Sequence, residues 1–294
     1  MTMIGSILKR AVNVPAMLRH RREARSARAG ADSELDLYAS VFRNDFLHAG
    51  YFPSIPENSE DISLQDLREA MRAYSDLALA RIAPGQTVLD IGCGMGGFLK
   101  LMKAAGARPT GLTPNPMHAA YIRREQPDVP VIVSGFEALE TAPYRQAFDV
   151  VVSLEAFHNV PMEEGLRRVA EVLKPGGKWI LIDYYRTRIP AYNNSGYPMQ
   201  AFRDALARHG YRVTEEVDIT EHALPSLAFG YVFATRIGIP LLEFALENFF
   251  SRHWLLEYLL ADVVRRARGR IRLDALNPEV FARDKRYLLQ QITR

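Results

Sequence analysis

The 294-residue sequence has a single cysteine, Cys93. One cysteine excludes a disulfide framework and a cysteine-rich zinc site, and it favours a reducing compartment. Cys93 lies inside a glycine-rich stretch with no histidine close behind it. We therefore interpret it as a small buried residue rather than a nucleophile, and we predict no metal site.

The sequence also has little net charge. The formal charge is +3 and the pI is near 8.9, and most of the positive excess falls between residues 9 and 28. Because no basic stripe runs through the rest of the chain, nucleic-acid binding is poorly supported as a main function. An apolar fraction of 48% and a charged fraction of 24% are typical of a globular protein with one large domain or two small ones.

Long apolar runs are missing too. We find no run of 18 apolar residues and no secretory signal, so we predict no membrane-spanning segment and a cytoplasmic location. Residues 1–30 are rich in arginine and have three interpretations: an amphipathic helix on a membrane or over the active site, a transit peptide, or a solvated basic arm. Peripheral membrane contact through residues 1–28 is left open.

The most informative stretch is residues 88–98, VLDIGCGMGGF. A short apolar run broken only by Asp90 leads into four glycines, and apolar residues then recur at helical spacing from Phe98. This pattern predicts a strand, a tight glycine turn and a helix whose free N–H groups point at the turn. Glycines leave room for a ligand, and Asp90 places a carboxylate at the same gap. Such a site suits a ligand with an ammonium or sulfonium group.

The turn also satisfies the dinucleotide pattern GxGxxG, as Gly92-x-Gly94-x-x-Gly97. An NAD site needs an acidic residue about 20 positions further on, at the tip of the second strand. That tip here is GLTPN, residues 111–115, which contains no acid. Asp90 would also repel a pyrophosphate. NAD is therefore disfavoured, although an NAD-dependent oxidoreductase stays as an alternative.

Further strands and helices alternate along the chain. Strands are predicted at 108–113, 131–133, 148–154, 178–183, 211–219 and 285–292, with helices at 34–52, from Ser63 to about Ile82, and at 197–209. Strands that are apolar on both faces and alternate with helices predict an α/β fold: a Rossmann-like, mostly parallel sheet with helices on both faces. Ligands of such sheets bind beyond the carboxyl ends of the strands.

Residues 88–98 resemble the first motif of class I S-adenosyl-L-methionine (SAM) dependent methyltransferases. Residues 148–160 are similar to their fourth-strand motif, and residues 171–177 look like their turn before strand five. Gly111-Leu112-Thr113 resembles the branch that includes tocopherol methyltransferases, cyclopropane fatty acid synthases and natural-product methyltransferases. The resemblance covers most of residues 45–235 and the last strand. It implies a seven-stranded sheet, SAM as cofactor with S-adenosyl-L-homocysteine as product, and an enzyme of class EC 2.1.1.

The resemblance also implies a division of the chain and a set of cofactor residues. The expected parts are an arm (1–30), an N-terminal helical segment (31–83), a SAM-binding core (84–220), a helical substrate cap (221–283) and the last strand (284–294). The donor is expected to contact Asp90, Gly92, Cys93, Gly94 and Leu154, with Thr113, Asn115 and His118 near the ribose and Gly135, Phe136 and Glu137 near the adenine. Residues 46–52 resemble a segment that folds over the donor in those relatives, although ordinary core packing is equally open.

Four residues are candidates for catalysis. His158 follows strand four and has a pKa range suited to a general base, although it also fits a histidine that begins a helix and binds backbone. Tyr184 and Tyr185 end strand five and are expected to hydrogen-bond an acceptor or stabilise a carbocation. Glu155 either acts in the reaction or supports the loop. Cyclopropane synthases have Phe-Glu-His in this loop; here Phe157-His158-Asn159 lacks that carboxylate, which disfavours carbonate-dependent cyclopropanation.

Residues 221–283 are rich in phenylalanine and leucine, with interruptions at Arg236, Pro240 and Glu243. We predict a helical cap that encloses an apolar acceptor; core packing or a dimer face is the alternative. The predicted function is methyl transfer to a lipophilic small molecule (a secondary metabolite, quinone or terpenoid), with O-methylation favoured over C- or N-methylation. A non-catalytic SAM-fold protein that acts as a partner or at a membrane surface is a further alternative. The sequence leaves the oligomeric state open.

Overall fold

The computed structural model describes residues 43–189, 195–268, 273 and 277–294. The chain divides into two units, Met1–Asn44 and Asp45–Arg294, and the description below concerns the second. The predicted arm and the first part of the predicted 34–52 helix lie outside the described residues. Residues 43–52 contain no helix, so that part of the prediction is wrong. Their amides bind other elements instead of their own helical turn: the Tyr51 N–H donates to the Ala70 carbonyl at 2.8 Å, and the Phe52 N–H donates to the His222 carbonyl at 2.9 Å.

The first long helix, α1, covers Leu64–Leu79. Ser63 Oγ accepts a hydrogen bond from the Asp66 N–H at 3.1 Å, and the Asp66 carboxylate accepts from the Ser63 N–H at 2.9 Å. This reciprocal pair is the predicted capping box, and it satisfies two of the amides that the start of a helix leaves unpaired. The helix ends at Leu79, three residues before the predicted end.

Strands and helices then alternate as predicted. Their bounds are β1 Thr87–Ile91, α2 Gly97–Ala104, β2 Arg108–Thr113, α3 Pro116–Glu125, β3 Val131–Val133, β4 Phe148–Leu154, α4 Met162–Val172, β5 Leu173–Arg186, β6 Tyr197–Pro198, α5 Met199–Arg208 and β7 Arg212–Asp218. After an insert of helices, β8 covers Lys285–Thr293. The predicted bounds of β2, β3 and β4 are confirmed. β5 begins earlier than predicted because Leu173 already pairs with Phe148, ahead of the turn at residues 174–177.

The strand order is β3-β2-β1-β4-β5-β8-β7, with the two-residue β6 beside β5. The pairs among β1 to β5 are parallel, and β8 runs antiparallel to both β5 and β7. This arrangement confirms the predicted Rossmann-like, mostly parallel sheet. In its register Asp90 pairs with Val152, and Leu154 pairs with Ile182. The carboxyl ends of β1, β4 and β5 therefore meet at one edge, where such sheets bind ligands.

The hydrophobic core lies on both faces of the sheet. One cluster surrounds Phe157, whose ring centroid lies 4.6 Å from that of Trp179 and which is fully buried. The other includes Val152, Ile180 and Tyr287. Because alternate residues of a strand point to opposite faces, Trp179 and Ile180 enter different clusters. This packing holds the ends of the central strands rigidly.

The insert between β7 and β8 is helical. Its parts are α6 Thr220–Phe233, a π-helical turn Ala234–Gly238, α7 Ile239–Ser251, α8 Trp254–Arg268 and α9 Pro278–Asp284. Pro240 does not end the helix, because it lies in the first turn of α7, directly after the π turn that re-spaces the backbone hydrogen bonds. The helix from Thr220 to Ser251 is long and apolar enough to cross a membrane, and 6% of its most apolar 18-residue stretch is buried. Our prediction of no membrane-spanning segment was based on the absence of 18 consecutive apolar residues, whereas this helix qualifies by its length and mean hydropathy.

Candidate active site

A narrow cleft, with a cavity volume of about 30 Å³, lies at the glycine turn that follows β1. It is lined by Asp45, Phe46, Leu47, His48, Asp90, Gly92, Cys93, Gly94, Gly97, Phe98 and Leu154. Five of the predicted cofactor residues are therefore brought together: one carboxylate, three residues of the turn and the last residue of β4. The lining residues that we did not predict as cofactor-binding are mainly those of segment 45–48.

Asp90 is one of the two acidic residues that line this cleft; the other is Asp45. The Asp90 side chain is held at the end of β1 and is 2% exposed. Burial raises the pKa of this carboxyl group to about 7, because the ionised form is poorly solvated there. A cationic ligand beside it would restore the ionised form. The carboxylate thus fits the sulfonium and ammonium groups of SAM.

The turn itself needs glycine for two reasons. Gly92 has φ 77°, a left-handed conformation that strains other residues, and a Cβ added to it would lie 2.2 Å from Ala156 Cβ. At Gly97 a side chain is excluded because segment 45–48 packs closely against it. An added Cβ would lie 2.7 Å from the Phe46 ring. Both glycines allow close approach of the backbone around the cleft.

We expect Gly92→Ala to destabilise the fold by more than about 2 kcal/mol, since left-handed strain and overpacking each cost about 1–3 kcal/mol. Gly85→Ala is a matched control, because Gly85 has φ 82° and nothing lies within 4 Å of an added Cβ. The Gly85→Ala variant should lose only the stability that left-handed backbone strain costs. Adding Ala156→Gly should restore part of the loss in Gly92→Ala, as measured by urea unfolding. Equal losses at positions 85 and 92 would refute the steric account.

Segment 45–52 lies over the glycine turn. The Gly97 N–H donates to the Asp45 carbonyl at 3.2 Å, and the Tyr121 hydroxyl donates to the Asp45 carboxylate at 2.7 Å. Next to it, His48 is half-buried, and loss of solvation around its ring lowers its pKa to about 4. The His48 ring stacks on Tyr74 with centroids 4.5 Å apart. The histidine therefore stays neutral at pH 7 beside the site for a cationic donor.

Glu155 supports this segment. Its Oε1 accepts a hydrogen bond from the Ala49 N–H at 2.6 Å, and its backbone has φ 54°, which is unusual for a residue with a side chain. Burial raises the pKa of Glu155 to about 7. Of the two interpretations of Glu155, the geometry fits support of the loop. The residue connects the end of β4 to the segment that covers the turn.

His158 belongs to a hydrogen-bonded series at the carboxyl ends of β4 and β5. Its Nδ1 lies 2.8 Å from Asp183 Oδ1, and its backbone N–H donates to Asp183 Oδ2 at 3.0 Å. Its Nε2 lies 3.0 Å from the Tyr184 hydroxyl. Burial lowers the pKa of His158, but the hydrogen bond to Asp183 and the charges of Asp183 and Glu155 outweigh it and raise the pKa above 6.5. This is the arrangement of an oriented base.

A buried lysine lies beside this series. Lys285 Nζ is 4.6 Å from the centroid of the Tyr184 ring and donates to Ser195 Oγ at 3.0 Å. Burial, and then the charge of Arg186, lower the pKa of Lys285 to about 8. Sequence reasoning missed both Lys285 and Asp183. Asp183 carried a usable signal, since it is the acidic residue at the end of the otherwise apolar run of β5.

Comparison with known proteins identifies the domain that contains this cleft. Residues 89–181 match the family described as "Methyltransferase domain". The chain is 30% identical over 174 residues to sterol 24-C-methyltransferase of Schizosaccharomyces pombe, covering 51% of this chain and 46% of that protein. It is 31% identical over 144 residues to 2-methyl-6-phytyl-1,4-hydroquinone methyltransferase of Synechocystis, covering 48% of this chain and 45% of that protein.

Residues 89–181 of this chain form a methyltransferase domain. A solved geranyl diphosphate C-methyltransferase from Streptomyces coelicolor, in complex with S-adenosyl-L-homocysteine, superposes with a TM-score of 0.65 at 16% identity. The superposition covers 92% of this chain and 97% of that chain, and at this identity it shows the shared fold. The predicted family resemblance, enzyme class and SAM cofactor are thus confirmed for the domain. The chain spans about half the length of the two curated relatives.

Two predicted site residues of the methyltransferase domain lie elsewhere. Tyr185 is buried in the core, and its hydroxyl donates to Gln290 Oε1 at 2.7 Å. It points away from His158 because strand neighbours face opposite sides, so its predicted acceptor role is wrong. Phe136 is also buried, with its ring centroid 6.4 Å from that of Phe157, because core packing takes up the first residue after the β3 loop. No exposed face of Phe136 is left for an adenine ring.

The other predicted donor residues follow β2 and β3, outside the set that lines the cleft at the glycine turn. Thr113 Oγ1 accepts from the Asn115 N–H at 3.2 Å, and Asn115 Oδ1 accepts from the Met117 N–H at 2.9 Å, which caps α3. His118 is buried in α3. The Glu137 carboxylate lies over Gly135, where an added Cβ would be 2.3 Å from Glu137 Oε1. Their contacts with the ribose and adenine stay predictions.

The insert differs from a closed substrate cap. α6 packs on segment 49–52, where the Gly50 N–H donates to Ser226 Oγ at 2.7 Å. The apolar residues of α7 and α8 that we predicted to enclose the acceptor are instead largely exposed, among them Leu241 at 63%. Between the two helices runs a groove with polar residues in its lining. In the described residues, this part of the insert therefore does not enclose an acceptor site.

Proposed function

We propose that the protein transfers the methyl group of SAM to a lipophilic small molecule that carries an ionisable hydroxyl group, with oxygen as the favoured acceptor atom. A phenol, a hydroquinone or a hydroxylated terpenoid would qualify. The observation that carries this proposal is the series Asp183–His158–Tyr184, which lies at the same edge of the sheet as Asp90. When bound, SAM supplies a methyl group activated by its sulfonium.

The residues of the glycine turn would hold the donor. Asp90 provides the negative charge for its cationic groups, and Gly92 and Gly94 contribute backbone without side chains of their own to the lining of the cleft. Segment 45–48, anchored through Glu155 and Ala49, would cover the donor and exclude water. Fixing donor and acceptor in line is the main contribution open to the protein, with up to about 7–11 kcal/mol available from orientation.

His158 would then remove the acceptor proton. Asp183 accepts the Nδ1–H hydrogen bond, which leaves the Nε2 lone pair for the Tyr184 hydroxyl or, through it, for an acceptor. A free phenol has a pKa of about 10, so it is mostly protonated at pH 7 and needs a base. The raised pKa of His158 makes the imidazole a stronger base for this step. The proton ends on His158, and Asp183 stabilises the resulting cation.

Two observations support a lipophilic acceptor. The two curated relatives are a sterol methyltransferase and a phytyl hydroquinone methyltransferase, and the insert that follows β7 is rich in apolar residues. Deprotonation of a phenol activates the oxygen and also the adjacent ring carbons. We favour oxygen because it is the atom that the base must touch. C-methylation of the same ring would use the same base.

The test is a reaction of the full chain with SAM that carries a deuterated methyl group and a panel of phenols, hydroquinones and terpenoid alcohols. Mass spectrometry should detect a product heavier by one deuterated methyl group, and NMR would place the label on oxygen or carbon. A parallel calorimetric titration should show binding of SAM and S-adenosyl-L-homocysteine. Tight NAD binding without SAM binding would overturn the proposal in favour of an oxidoreductase. Label on carbon alone would overturn the choice of oxygen.

A further inference from the structure

Residues 239–268 form a helical pair, α7 and α8 joined at residues 252–253, which we name the insert hairpin. Its exposed large apolar side chains include Leu241 (63%), Phe244 (65%), Leu259 (61%) and Val263 (61%). Large apolar side chains grouped in this way are rare on the surface of a monomeric soluble protein. They mark an interaction surface.

The inside of the hairpin is mixed in polarity. The groove between its helices is lined by four polar residues, Glu247, Ser251, Glu257 and Arg265, and by four apolar ones, Leu246, Phe250, Ala261 and Val264. Arg265 also lies 3.4 Å from Asp262. A helical pair in water places its apolar stripe between the helices and its charges outside. The insert hairpin departs from this pattern, because its groove contains charged residues and large apolar side chains such as Phe244 are exposed to the outside. These exposed positions favour an apolar surrounding.

Positive charge lies at one end of this apolar surface. Arg265 and Arg266 are exposed on the last turn of α8. The sequence from 265 to 272 contains five arginines and no acidic residue. Apolar side chains next to clustered arginines fit a membrane with anionic headgroups. A second copy fits less well, because a symmetric pair would bring two identical arginine clusters to one interface.

The length of the hairpin limits how deep it can reach. α7 has 13 residues and α8 has 15, so each is about 20 Å long at 1.5 Å per residue. The hydrocarbon layer of a bilayer is about 30 Å thick. Neither α7 nor α8 crosses it without the residues of α6, which precede α7 in one continuous helix. The preceding α6 is held on the body, where the His222 carbonyl accepts the Phe52 N–H at 2.9 Å. The hairpin can therefore enter one leaflet while the body stays outside.

We propose that the insert hairpin binds the surface of an anionic phospholipid bilayer, with its outer apolar side chains in one leaflet and its arginines at the headgroups. This inference goes beyond the proposed methyl transfer and does not depend on it. If both hold, a lipophilic acceptor would be collected at the bilayer surface. The insert then acts as a membrane-binding element rather than a closed cover over the acceptor.

The test is flotation of the full chain with vesicles of phosphatidylcholine, alone or with three-tenths phosphatidylglycerol. The wild-type chain should bind the anionic vesicles more tightly and lose binding as salt rises. The variant Leu241→Ser/Phe244→Ser/Leu259→Ser/Val263→Ser should lower the partition coefficient at least tenfold. The matched control removes four exposed apolar side chains from the body, Ile55→Ser/Val133→Ser/Ile189→Ser/Val217→Ser, and should leave the partition coefficient unchanged.

A second pair of variants tests the charge. Arg265→Gln/Arg266→Gln should weaken binding to the anionic vesicles by about fivefold for each arginine, and it should leave binding to neutral vesicles unchanged. The control Arg72→Gln/Arg123→Gln removes two exposed arginines from α1 and α3. Equal effects of the two pairs would show that only net charge matters and would overturn the assignment to the hairpin.

Two results would overturn the proposal as a whole. An unchanged partition coefficient for the quadruple hairpin variant would assign membrane binding to another part of the chain, such as residues 1–28. A wild-type dimer that ignores vesicles, and that the same variant converts to a monomer in sedimentation velocity, would make a second copy the partner. SAM titration of each variant reports an intact body. Failure of vesicle binding with SAM binding retained would therefore leave the proposed methyl transfer standing.

Discussion

Asp90→Asn should weaken SAM binding about 10- to 150-fold and also make the ligand-free protein more stable. The binding loss follows from the removal of a charge-assisted interaction, which contributes about 1.5–3 kcal/mol. The gain in stability follows from burial, because a carboxyl group with a folded pKa of about 7 and an unfolded value of 3.8 is ionised at a cost in the folded state. At pH 8 we expect a gain on the order of 2–4 kcal/mol.

The sign of the pH dependence makes this prediction sharper. Between pH 4 and pH 7 the unfolded chain has lost the Asp90 proton while the folded chain keeps it, so the free energy of unfolding falls as pH rises through this window. In the Asn variant, the free energy of unfolding should decrease less between pH 4 and pH 7, as measured by urea unfolding at several pH values. We also expect the SAM affinity of the wild type to fall below pH 7, where Asp90 is protonated. The affinity of the Asn variant, measured by calorimetry, should not fall in this way.

Asp128→Asn is the matched control for Asp90→Asn. Asp128 is exposed and pairs with Lys103 on the surface, so its substitution should change neither SAM affinity nor stability by more than a few tenths of a kcal/mol. A variant at position 90 that binds SAM normally would refute the assignment of the cleft. A variant that loses both SAM binding and stability would indicate that Asp90 has a structural role instead.

His158→Gln should lower kcat by about 10²- to 10⁴-fold on a hydroxyl acceptor, the range that general bases contribute. The rate of the wild-type enzyme should rise with pH through the pKa of His158, which lies above 6.5, because only the neutral imidazole accepts a proton. The measurement is the pH dependence of kcat with saturating SAM. The substitution should leave SAM affinity within about twofold, since His158 does not line the donor cleft.

Asp183→Asn tests the positioning of His158 and has a readout that general loss of structure would not imitate. Without the carboxylate, burial dominates and the pKa of His158 falls, so the acid limb of the pH–rate profile should move to lower pH while kcat drops. His209→Gln is the control, since His209 lies at the surface with Glu163 at 2.6 Å. A lower rate with an unshifted profile would mean that Asp183 supports the loop only.

Local patterns in the sequence were sufficient for the framework. The capping box at Ser63, the bounds of β2 to β4 and the glycine turn after β1 depend on spacings within a few residues, so they could be predicted. The Asp90 site also followed from one strand and one turn. Residues 43–52 could not be assigned in this way. Their aromatic spacing suited a helix, but distant partners at Ala70 and His222 take their amides.

The residues of the site also divide into those that local sequence could predict and those that depend on distant contacts. Strand alternation already separates Tyr184 from Tyr185, and its neglect led to the wrong prediction for Tyr185. Lys285 is 101 positions from Tyr184 in the sequence, yet its ammonium lies over that ring because β8 pairs antiparallel to β5. The link between Glu155 and Ala49 spans 106 positions. No local pattern contains such contacts.

By itself the sequence determined the class of fold, the glycine turn with its buried carboxylate, and the kind of donor that suits them, because each depends on the chemistry of neighbouring residues. The tertiary structure alone decided which side chains surround His158, which of two adjacent tyrosines faces it, and that the apolar side chains of the insert point outward. Those facts depend on strand register and on the faces that packing leaves free, and both arise only when distant parts of the chain come together.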